Sequence, residues 1–385
     1  MPMRELPQQV IADAVAWRRH LHRNPELGFQ EHATADFIAA RLAEFGYEVQ
    51  RGIGRTGVVG SLAKGGGNRA IGIRADIDAL PIAEAGSAEW MSQNPGRAHA
   101  CGHDGHVATA LAAARVLAGT PFEGTVRFIF QPAEENEGGG REMVRDGLFS
   151  LAPVDAVYAM HNWPGLPLGT LVARDREMMA AFGIFEIALT GRGAHGAMPH
   201  EGADVLLAAA HLVTALQSIA ARNVDPLHGA VVSVTQVHGG DAWNVLPETA
   251  AIRGTTRWFD PAVGDLVESR LKALAGTIPQ GFGCTAGVRY ERRYPPTLNT
   301  PANARIVRGA AAAAGLAVAD AEPSMAGEDF AFMLAEVPGC YFWMGAAKEG
   351  DNPGLHSPRF DFNDELIPLG AGFWVDLVLA ELPPA

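Results

Sequence analysis

Cysteine is scarce in this chain of 385 residues: Cys101, Cys284 and Cys340 are odd in number and far apart. They form no disulfide framework, so a reducing, cytoplasmic setting is expected. Basic charge is short as well, with 30 lysines and arginines against 43 acidic residues and a net charge of -13. Phosphate binding needs a basic patch, which excludes nucleic acid as a partner. The N-terminus lacks an apolar core flanked by a cleavage site; Val10, Ala14, Trp17 and Leu21 recur there at helical spacing instead. One long stretch without formal charge, residues 205–221, is Ala-rich and carries His211 and Gln217. That suits a packed helix better than a membrane span, so no membrane partner is expected. Repeats are absent, and so are a Gly-x-Ser-x-Gly elbow, a phosphate loop and a His-Glu-x-x-His helix.

What remains is a folded, loop-rich chain, 48% hydrophobic with 45 glycines and 25 prolines, and long enough for two domains. Residues 58–62, 70–76, 125–130 and 156–160 are short apolar runs that read as strands buried on both faces. Helical patterns over 34–45, 107–117 and 142–148 alternate with them, which predicts an α/β layer with a mostly parallel sheet. The middle reads as a smaller α+β unit of four strands (182–189, 230–237, 249–259, 287–294) and two helices (203–221, 263–278). After the Pro295-Pro296 hinge come helices over 301–314 and 367–382 and a strand over 340–344. Residues 182–296 are thus expected as an insertion into a domain built from 1–181 and 297–385.

The densest chemistry is His99-Ala100-Cys101-Gly102-His103-Asp104-Gly105-His106. Thiolate and neutral imidazole are preferred ligands of zinc-like divalent metals, and the glycines let the backbone turn. Read singly, Cys101 could be a small core residue and His103 a surface histidine; the clustering points to metal. His106 starts the following helix, which suits a capping or orienting role. Glu134 and Glu135 close the run that begins at Gln131 and, on an extended strand end, would point in opposite directions, one to metal and one to water. Asp76 and Asp78 could be ligands, partners orienting a ligand histidine, or a strand-terminating acidic turn. His161 and His356 are isolated. Residues 191–200 form a glycine-flanked histidine loop around His195, and Arg257, thirteen positions after Asn244, could pair a substrate carboxylate or make an ordinary salt bridge.

Together these blocks resemble the dinuclear-metal aminoacylase/carboxypeptidase family, in its amidohydrolase branch of hippurate hydrolases, N-acyl-amino-acid amidohydrolases and auxin-conjugate hydrolases. The resemblance runs in order through residues 18–26, 74–81, 99–106, 131–135, 191–200, 244–247, 254–257, 325–330 and 355–364. It implies two divalent ions (Zn, Mn, Co or Ni) with Cys101 as bridge, His103 and His161 on one, and Glu135 and His356 on the other. It makes Glu134 the general base, removes Asp76 from the ligands, and gives Asp78 an orienting role. It further implies that the inserted unit is a lid that dimerises, with His195 polarising the scissile carbonyl in the partner subunit's site and Asn244 and Arg257 holding substrate. The implied reaction is hydrolysis of an N-acyl amino acid. A dipeptidase, an N-acetyldiaminopimelate deacetylase or an indole-acyl-amino-acid hydrolase would share these motifs. A non-catalytic binding protein and a thiol hydrolase using Cys101 are the competing classes.

Overall fold

A computed structural model describes residues 4–135 and 137–385. The chain divides into two compact units, one of residues 1–178, 297–323 and 329–385, the other of residues 179–296 and 324–328. Residues 324–328 join the second unit because the Ala180 N–H donates to the carbonyls of Ser324 and Ala326, at 2.9 and 3.0 Å.

The larger unit is an α/β layer around a seven-stranded sheet. Its order is Glu48–Ile53, Gly57–Lys64, Gly124–Gln131, Ala70–Asp76, Ala156–Trp163, Gly339–Gly345, Leu171–Val172. The expected parallel pairing occupies the centre, from Gly124–Gln131 to Gly339–Gly345. Both flanks are antiparallel, so the sheet is mixed. The central strands are apolar and covered on both faces, as parallel strands require. The Ala-rich helix His103–Gly119 is buried along most of its length and packs in the same core as the C-terminal helix Leu366–Glu381.

One buried cation fastens the N-terminal helix Gln8–Arg23 to the chain's last turns. Arg18 is fully buried, and its guanidinium donates to Asp364 at 2.7 Å, to Asp361 at 2.9 Å and to the carbonyl of Phe362 at 3.1 Å. Asp104, just after His103, lies 3.8 Å away and also takes a contact from His22 at 2.8 Å.

The smaller unit has a four-stranded antiparallel sheet, ordered Ala230–His238, Thr249–Trp258, Ala181–Thr190, Thr285–Tyr294. Helices Val205–Leu216 and Pro261–Thr277 share its core. Asp204 and Asp260 cap them by accepting N–H bonds from the first turn. By length and composition Val205–Asn223 is apolar enough to cross a membrane, yet Val205, Ala208, Leu212, Leu216 and Ile219 lie in this unit's core.

Replacing Arg18 by Ala removes the buried donor of Asp361, Asp364 and the Phe362 carbonyl and leaves buried Asp104 to His22. A cost of about 3–5 kcal/mol is expected in chemical denaturation of the larger unit. A loss near zero would show that the buried pairings contribute no net stability.

Candidate metal centre

Asp78, two residues past the strand Ala70–Asp76, is the point from which the site is built. His103 Nδ1 lies 2.9 Å from the Asp78 carbonyl and 3.1 Å from its Oδ1. Both neighbours are acceptors, so Nδ1 carries the proton and the Nε2 lone pair is presented away from them. That Nε2 is buried and makes no hydrogen bond. The second carboxylate oxygen of Asp78 accepts the backbone N–H of Glu135 at 3.0 Å. One side chain therefore fixes a histidine ring and a glutamate together.

His161 lies near the C-terminal end of the parallel strand Ala156–Trp163. Its Nδ1–H donates to the Asn162 carbonyl at 2.8 Å, which leaves Nε2 facing Cys101 Sγ at 3.5 Å. His356 Nε2 lies 3.1 Å from Glu135 Oε1. Cys101, His103 and Glu135 bring one ligand atom each within 4.8 Å of one another. Gly102, between the thiol and the histidine, has φ +97°, and a Cβ there would run into the Asn162 amide. Only glycine lets the loop turn this tightly into the helix.

The donor set fits a divalent cation. Burial, with Glu135 and Glu134 next, pushes the Cys101 thiol well up. Burial opposes charge on His103, but Asp76 and Asp78 outweigh it and raise its pKa to about 10. A bound dication would supply that positive charge and displace both protons, as metal ligation by thiolate and imidazole does.

Asp76 makes different contacts. One oxygen faces His106 Nδ1 at 2.5 Å and the other accepts from Arg74 at 2.8 Å. Burial would raise its pKa, but His103, His106 and Arg74 hold it well below the usual range. His106 lies in the first turn of the helix His103–Gly119, with its other nitrogen 2.6 Å from Asn162 Oδ1. Glu134 and Glu135 do not sit on an extended strand end. The strand stops at Gln131, and Ala133, at φ +50°, turns the chain before the pair. Glu134 is 8% exposed.

The smaller unit holds the remaining three candidates. His195 pairs with Val245 across two short strands, and the Gly196 N–H donates to the Asn244 carbonyl at 2.7 Å, so His195 and Asn244 share one exposed loop pair. Arg257 lies on Thr249–Trp258, its guanidinium 4.5 Å from the centre of the Phe182 ring and, among the described residues, in no salt bridge.

Residues 72–380 match peptidase family M20/M25/M40. The chain belongs to that family. This M20-family member is therefore a hydrolase of amide bonds. It is 40% identical to the N-acetyl-L-cysteine deacetylase of Bacillus subtilis over 352 residues, covering 91% of this chain and 83% of that one. It is 38% identical to the hippurate hydrolase of Campylobacter jejuni over 372 residues, 95% of each chain. Among solved structures, a Bacillus subtilis dinuclear metal binding peptidase of the M20 family superposes with a TM-score of 0.86 at 33% identity, covering 98% of this chain and 100% of that one.

Sequence reading missed Asn162, which orients His161 through its carbonyl and stands against His106. An asparagine beside an isolated histidine carries no local signal. It also missed Asp329, which accepts from Arg74 at 3.2 Å and Gln131 at 2.7 Å and is 255 residues from the former.

Asp78→Asn leaves one amide oxygen and places an NH2 donor against either the His103 ring N–H or the Glu135 N–H, so the side chain no longer holds both. Metal affinity in chelator competition should fall about 10–100-fold. Unchanged affinity would remove Asp78 from the orienting role.

Proposed function

We propose that this protein is a metal-dependent amidohydrolase that releases an amino acid and a carboxylic acid from N-acyl amino acids, with hippurate-type N-benzoyl substrates first. The observation that carries this reading is the convergence of Cys101, His103 and Glu135 within 4.8 Å, with His161 against the thiol and His356 against the glutamate. Cys101 would bridge two divalent ions, His103 and His161 completing one site and Glu135 and His356 the other. Two such ions supply Lewis acidity and lower the pKa of water at the site. Glu134 takes the proton of the attacking water and returns it to the departing amine as the C–N bond breaks. Relatives named for deacetylation and for hippurate hydrolysis are almost equally similar, which supports N-acetyl amino acids as the second substrate class.

The smaller unit is proposed to act as a lid and dimerisation element. There His195 would polarise the scissile carbonyl in the partner subunit's site, and Asn244 and Arg257 would hold the substrate carboxylate. The three cysteines are free and buried, which suits a reducing, cytoplasmic compartment. A thiolate–imidazole–carboxylate set accepts Zn, Mn, Co or Ni, so N-benzoyl, N-acetyl and indole-acyl amino acids are to be screened with each metal.

Glu134→Gln should lower kcat by about 10²–10⁴ while bound metal, counted by elemental analysis, stays near wild type. Wild-type-like turnover would end the base assignment. Mixing His195→Ala with Glu134→Gln protein should restore activity through hybrid dimers; continued inactivity after verified subunit exchange rules out a site shared between subunits.

A further inference from the structure

Five described residues other than glycine have positive φ, and three of them meet at one knot in the larger unit: Phe29 at +61°, Arg55 at +75° and Ala133 at +50°. The Arg55 guanidinium lies 4.1 Å from the centre of the Phe29 ring. Left-handed backbone is unfavourable for residues with a Cβ and persists only where the surroundings over-determine it. At Ala133 those surroundings can be named. Its N–H donates to Glu31 Oε1 at 2.8 Å, and its carbonyl accepts the N–H of Gly139 at 2.9 Å. A Cβ on Gly139 would run into the Pro132 carbonyl, so the chain beyond the turn can approach this closely only as glycine.

Glu31 is fully buried, as are Ala133 and, nearly, Thr56 at 4% exposure. Its second oxygen accepts the Thr56 hydroxyl at 2.6 Å. The two oxygens of one carboxylate thus reach separate segments, the turn before Gly57–Lys64 and the turn that leads into Glu134. A carboxylate in an apolar interior is costly unless its bonds do something, and burial here raises the pKa of Glu31 to about 7. Neither partner is a metal-ligand candidate, and no step described above uses Glu31.

We infer that Glu31 is a positioning residue that locks Ala133 in its left-handed turn and so sets the direction in which Glu134 enters the site. The lock acts through the backbone: with the Ala133 N–H released, the turn relaxes toward ordinary φ and Glu134 swings with it. Misplacement of a proton acceptor by about 1 Å can cost two orders of magnitude in rate. This assignment rests on Glu134 as the general base.

The test uses the metal-loaded full chain. Glu31→Asp keeps the charge but is one methylene short of spanning both partners. Its kcat should fall about ten- to a hundredfold, with KM and bound metal within about twofold of wild type. Glu31→Gln keeps an acceptor oxygen for the Ala133 N–H and should recover most of the lost kcat. Wild-type kcat in folded Glu31→Asp, or metal loss in step with activity, overturns the assignment. Should Glu31→Asp fail to fold, Thr56→Val decides, because it removes the hydroxyl that anchors Glu31; an unchanged kcat there also overturns it. Glu134→Gln assayed alongside separates the two ideas: turnover in that variant sinks the base reading, whereas the Asp and Gln variants judge Glu31.

Discussion

The two oxygens of Asp78 are committed to different elements, one to the His103 ring and the other to the Glu135 backbone, and the rest of the site is arranged around that division. Because His103 must donate from Nδ1, its buried Nε2 is presented to the cluster without a hydrogen bond, 3.6 Å from Asp76 Oδ2. Because Glu135 is held by its N–H, its carboxylate is left to meet His356. Orientation by an outer carboxylate is the usual way a protein fixes imidazole tautomers at a metal, and here one carboxylate serves two positions. The central strands deliver these groups because their C-terminal ends lie side by side in the parallel part of the sheet, where open α/β sheets place their sites.

Such an assembly concentrates negative charge in the protein interior. Asp76, Asp78, Asp104 and Glu31 are each buried to within 1% exposure. Protein cations answer some of that charge: Arg74 pairs Asp76, and Arg18 with His22 surrounds Asp104. The thiol and Glu135 have no such arginine, and that imbalance is what a divalent ion would correct. The fixed cations stand behind the site, holding the acidic residues that orient ligands, while the ligand atoms face inward. This division also explains why Asp76 behaves differently from Asp78: its oxygens are already occupied by Arg74 and His106.

Much of this was legible in the sequence, and the exceptions have physical causes. Buried apolar runs gave the central strands and their alternation with helices. The edge strand Glu48–Ile53 escaped because half of it is exposed and it carries Glu48, Gln50 and Arg51, with no apolar period to read. Apolar runs covered on both faces look alike whichever way they pair, so the antiparallel flanks were not visible in them. The Cys101–His103 loop announced itself by density of ligand types. His161 and His356 did not, since a ligand supplied singly from a distant strand or loop has no local pattern, and only the ordered resemblance along the whole chain pointed to them.

The turn before Glu134 shows why pairwise reading of Glu134-Glu135 was bound to miss its geometry. On a strand, adjacent carboxylates diverge by alternation, and that rule needs no other residue. Here the strand ends three positions earlier, and divergence comes instead from an alanine held in a conformation it does not favour. His356, at φ +64°, is another non-glycine residue held in that conformation. Local preference predicts neither, because both are set by bonds from far along the chain: Glu31 to Ala133, 102 positions apart, and the His356 N–H to the Ala100 carbonyl at 2.7 Å. Strain concentrated at the groups that face the cluster is what a site requiring fixed geometry exacts from the fold around it.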